Sequence, residues 1–86
     1  MAVELELKLS LGEHKTDFEK LLAANAENCL FVCQAYTDDI ESRLEFFQKG
    51  INLYDKSRTD DNFLIVIFDY YTHKISYRKL TKEYSV

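Results

Sequence analysis

The chain has 86 residues, 47% of them hydrophobic and 30% charged, with a net charge of -4 and a pI near 5.1. That length fits one domain over 1–86 with a single core, burying roughly 60% of the surface its unfolded chain exposes. The negative charge argues against general affinity for nucleic acid or anionic membrane, no apolar run reaches the ~18 residues of a membrane span, and residues 2–11 lack the continuous apolar core of a signal peptide, so a cytoplasmic location is expected.

Val3, Leu5, Leu7, Leu9 and Leu11 alternate with Glu4, Glu6, Lys8 and Ser10, which predicts a first strand with one dry and one wet face, ended by Gly12. Thr16 to Glu19 matches a capping box, so a helix is expected from about Asp17. From Phe18 through Leu22, Ala26, Cys29, Cys33, Tyr36, Ile40, Leu44, Phe47, Ile51 and Tyr54 the apolar positions advance in steps of three and four. They form a stripe roughly 80° wide on a helical wheel. A single rod of that length would run about 55 Å, too long for a domain about 30 Å across, so a break is expected at Thr37-Asp38-Asp39, where Asp38 and Glu41 offer a second cap. Two helices over about 17–36 and 39–56 follow. The run Cys29-Leu30-Phe31-Val32-Cys33 also has strand composition, and reading it so changes the order from β-α-α-β-β to β-α-β-α-β-β.

Asp55 to Asn62 is polar and reads as a solvated loop; the glycine and glutamate of a calcium-binding loop are absent from it. Asn62 to Tyr71 is the most committed stretch, β-branched and aromatic on both faces of a strand. Thr72-His73 turns the chain into a last strand, Ile75 to Leu80, with Ile75 and Tyr77 on the face of Phe68 and Tyr70, completing the expected core side. The expected fold is a small two-layer α+β domain, a three-stranded antiparallel sheet carrying a helical pair.

No catalytic, cofactor or metal signature emerges. Two Cys and two His are spread along the chain, two glycines cannot build a phosphate cradle, and the paired acids Glu4/Glu6, Asp38/Asp39 and Asp60/Asp61 fall where solvation is expected. Cys29 and Cys33 are expected to be buried, reduced thiols side by side on a helix. The chain reads as no enzyme, with no cofactor.

A protein-binding role is the remaining expectation. If Leu64, Val66, Phe68 and Tyr70 meet the helices, then Phe63, Ile65, Ile67 and Tyr71 form an outer apolar patch with a charged rim that includes Arg78, and the acidic helix contributes Glu41 and Glu45. Thirteen acids against seven bases in residues 1–61 suit occupation of a basic cleft. The reading is a small acidic inhibitor of a nucleic-acid-acting protein, of the immunity, antitoxin or phage anti-host type. The alternatives are an accessory subunit or homodimer joined through the sheet face, and a single-strand binder using Tyr70, Tyr71 and Tyr77 with Lys74, Arg78 and Lys79.

Overall fold

The computed structural model describes residues 1–83, in the order β1 (Ala2–Glu6), α1 (Leu11–Ala23), β2 (Asn28–Ala35), a 3-10 turn (Thr37–Asp39), α2 (Ile40–Leu53), β3 (Asn62–Asp69) and β4 (Ile75–Leu80). The α+β class stands, but the order is β-α-β-α-β-β, and the sheet has four strands in mixed orientation rather than three antiparallel ones. The expected first helix over 17–36 is in fact the end of α1 followed by a strand. Physically, the Cys29-to-Cys33 step is even as well as helical: Cys29, Phe31, Cys33 and Ala35 also alternate at period two, and all four are buried. The two cysteines therefore share a face but lie about 13 Å apart along β2 at ~3.3 Å per residue, not side by side on a helix.

The start of α1 lies at Leu11, earlier than the Thr16 pattern implies. Ser10 caps it, its hydroxyl accepting from Glu13 N–H at 3.3 Å, while the Thr16 hydroxyl donates back to Gly12 O at 3.0 Å, inside the helix. Leu7, Leu9 and Leu11 accordingly lie beyond β1, which ends at Glu6. The break before α2 falls where expected, as the 3-10 turn. Neither Asp38 nor Asp39 caps with its side chain; instead the buried Asp69 carboxylate, at the end of β3, accepts from the Thr37 hydroxyl at 2.8 Å.

Strand order follows chain order, β1-β2-β3-β4, with the first two pairings parallel and the last antiparallel. Parallel neighbours need a crossover, and the near-universal right hand of that crossover puts successive helices on the same side when strands are added in one direction. Both helices do lie on one face, where Phe18 of α1 stacks on Phe47 of α2 at 4.5 Å and both rings meet Phe31 of β2, at 5.5 and 5.1 Å. Each such ring contributes about 1.5–3 kcal/mol by leaving water. The thinnest dimension, 20 Å, is that of one sheet and one helical layer. C-terminal to β4, Lys82 Nζ donates to Tyr54 O and Ser57 O at 3.0 and 2.9 Å, and Gln48 donates to Thr81 O, tying the chain back to α2 and the loop after it.

Candidate interaction surface

The register decides which side of each strand is covered. On β3, Phe63, Ile65 and Ile67 face the helices and are 2%, 0% and 1% exposed, so the assignment of these residues to an outer patch is reversed. They line up with Cys29, Phe31 and Cys33 of β2, the odd positions against which Phe18 and Phe47 pack. Leu64, Val66 and Phe68 are the outward set.

The reversal extends across the whole sheet. Val3 and Leu5 of β1 lie beside Leu30 and Val32, these beside Leu64 and Val66, and these in turn beside Lys79 and Tyr77 of β4. Two rows result, Val3-Leu30-Leu64-Lys79 and Leu5-Val32-Val66-Tyr77, with Gln34, Phe68 and Ile75 in a third. No helix of the chain packs on them: on the edge strands Tyr77 is 78% exposed, Ile75 67%, Leu5 57% and Val3 56%, while Leu30, Val32, Val66 and Phe68 between them are half-buried. The alternation in β1 is real, but its expected dry face is the open one, while Ala2, Glu4 and Glu6 point to the helical side and are half-buried. Lys79 is the one charged residue in the three rows, and a depression of about 370 Å³ beside it is lined by Leu30, Leu64, Asn28 and Asn62.

The other expected site residues fall elsewhere. Arg78 Nη2 lies 3.2 Å from Glu41 Oε1 across the groove between α2 and β4, on the helical side of the sheet, and Glu45 lines the same groove. The pair is largely exposed and partly neutralises itself, which removes Glu41 from any uncompensated acidic face. Tyr71 is exposed at the tip of the β3–β4 hairpin, in a cluster with Tyr36 and Tyr70 at ring separations of 5.1 and 6.0 Å. Asp69 shapes that tip: Tyr71 and Thr72 N–H donate to its Oδ1 at 2.9 and 3.1 Å, and His73 closes the turn with φ 60°. Burial pushes the Asp69 carboxyl up, but the donors from Thr72, Thr37 and Tyr71 outweigh it and its pKa is lowered.

The buried polar groups include His14, Arg43 and Asp61, none of them expected inside. His14, in the first turn of α1, is fully buried, its Nε2 donating to Lys8 O at 2.7 Å and its Nδ1 accepting from Arg43 Nη1 at 2.6 Å. Burial lowers its pKa, and Arg43 adds to that effect, so the ring is neutral with both nitrogens engaged. Asp61, expected in solvent, is buried and accepts from Arg58 N–H at 2.9 Å. The two thiols are also buried; desolvation raises the pKa of Cys29 and pushes Cys33 up to about 12. His73 stacks on Phe68 at 5.7 Å, on the open side of the sheet, away from both thiols. Among the described residues no group of three or more His, Cys, Asp or Glu could hold a metal ion, and no helix is long and apolar enough to cross a membrane.

A signal for the open face exists in the sequence. Asn28, Leu30, Val32 and Tyr36 recur as Asn62, Leu64, Val66 and Tyr70 at identical offsets, and the register places each Asn, Leu and Val beside its counterpart. Asn62 Nδ2 donates to Asn28 Oδ1 at 3.3 Å, and the rings of Tyr36 and Tyr70 meet edge to face at 5.5 Å. Compared with protein-family models, curated proteins and solved structures, the chain matches none.

Proposed function

We propose that the chain is a non-enzymatic protein-binding module that docks through the open face of its sheet. One observation supports this reading: three adjacent rows of side chains, apolar but for Gln34 and Lys79, on a sheet whose opposite face already holds an aromatic core. Isolated exposed apolar residues are ordinary, but a contiguous patch with charge only at its corner is the composition of an interface centre. A photo-crosslinking residue, benzoylphenylalanine, placed at Val66 should form protein adducts in cells, whereas the same residue at the exposed Leu53 of α2 should not. Absence of any protein adduct from position 66 would overturn the reading.

A second reading, the acidic inhibitor of a nucleic-acid-acting protein, is favoured by the separation of charge. The three open-face rows contain no acid, while exposed Asp38 and Glu45 lie on the helical side, so a basic cleft would be met by that layer. Reversing Asp38 and Glu45 should then slow association with such a partner and flatten its salt dependence.

A further inference from the structure

We propose that the occupant of the open face is a second copy of this chain, the two sheets packing face to face about a two-fold axis; this rests on the reading of that face as a docking surface. The area is right for it. Four strands about 4.8 Å apart and six residues rising about 3.3 Å each make a patch of roughly 19 by 20 Å. With side-chain relief that corresponds to on the order of 600–800 Å² of accessible surface per copy, against about 800 Å² per partner in a stable interface.

Charge separates a second copy from other occupants. The protein carries a net charge of -4, yet Lys79 is the one charged residue in the three rows. Two copies joined through this face hold their helical layers, where Glu41 and Glu45 lie, about 30 Å apart at ~10 Å per layer. That is several times the ~8 Å screening length at physiological salt, so the like charges scarcely repel. Lys79 sits at the end of its row on edge strand β4, where its long stem can lie on the patch and its ammonium reach water. An acidic or basic partner would find no complementary group at the centre of the patch; an identical surface, apolar at its centre, needs none.

Shape points the same way. Leu30, Val32, Leu64 and Val66 on the central strands are medium-sized, branched aliphatic side chains of the kind that interdigitate when two pleated sheets meet at ~10 Å. Both faces of β2 and β3 would then be covered, as expected for parallel strands built of continuous apolar residues.

Sedimentation of the purified protein from about 5 to 500 µM tests the inference. The expected result is a reversible species of twice the 10.2 kDa chain mass, with Val66→Lys weakening association roughly tenfold to hundredfold and Leu53→Lys leaving it unchanged. Circular dichroism establishes that each variant is folded. Should Val66→Lys not fold, Leu5→Lys at the edge of the same row reads the same interface. A 10.2 kDa species at every concentration, or a dimer indifferent to these folded variants, overturns the proposal. Crosslinking from position 66 separates the two failures: an adduct with a different polypeptide overturns the second copy and keeps the docking face, and no adduct overturns both.

Discussion

His14 shows how one buried side chain ties pH to stability. Its pKa lies below the ordinary 6.5 because a charged ring would be desolvated and would face Arg43 across 2.6 Å. The unfolded chain therefore binds a proton at higher pH than the native one. Its contribution is fully present above pH 6.5 and is lost as pH falls from there through the lower folded pKa. Urea denaturation at pH 7.5, 6.0 and 5.0 should show a falling midpoint, and His14→Gln should flatten the fall over that range. Cys33 makes the complementary prediction. A thiol pushed up to about 12 is thiolate to only about one part in ten thousand at pH 8, and it is buried as well, so Ellman's reagent should label it slowly in native buffer and at once in denaturant.

At the level of elements, neighbouring residues on β3 separate the covered side of the sheet from the open one. Ile65→Ala should cost about 2–5 kcal/mol, since its side chain is wholly enclosed by the helical layer, whereas Leu64→Ala, measured in dilute protein, should cost less than about 1 kcal/mol. Equal losses would mean that both faces of β3 are covered in the isolated chain. The identity of this strand was plain in the sequence, as was the β3–β4 pairing and its face sharing, Ile75 beside Phe68 and Tyr77 beside Val66, but the shared face is the open one and not the core side expected for it. Which face is buried was not plain, because Leu64, Val66 and Phe68 are as apolar as Phe63, Ile65 and Ile67, and hydrophobicity alone cannot orient a strand that is apolar on both sides. Burial in β1 was inverted for a related reason: an edge strand can turn its leucines outward when the helix beside it covers Ala2, Glu4 and Glu6. Glu41 and Glu45 were expected on the acidic helix and Arg78 on the rim of the opposite, outer patch; the fold instead brings them to one groove, Glu41 and Arg78 meeting across 37 residues of chain.

At the scale of the molecule, a face-to-face pair makes thermal stability depend on protein concentration, because association stabilises the folded state by mass action. The melting temperature should rise over a hundredfold increase in concentration for the parent chain and stay level for Val66→Lys; a level response from both would leave the sheet face unoccupied by a second copy. A different consequence follows from the order of the strands. Each lies next to the one made just before it, so no strand has to be inserted between two already paired. As the chain leaves the ribosome, β1, α1 and β2 can associate while β3 is still being synthesised, and every later strand is added to a waiting edge. Translation and assembly can proceed in step, with loop closures spanning only one helix at a time.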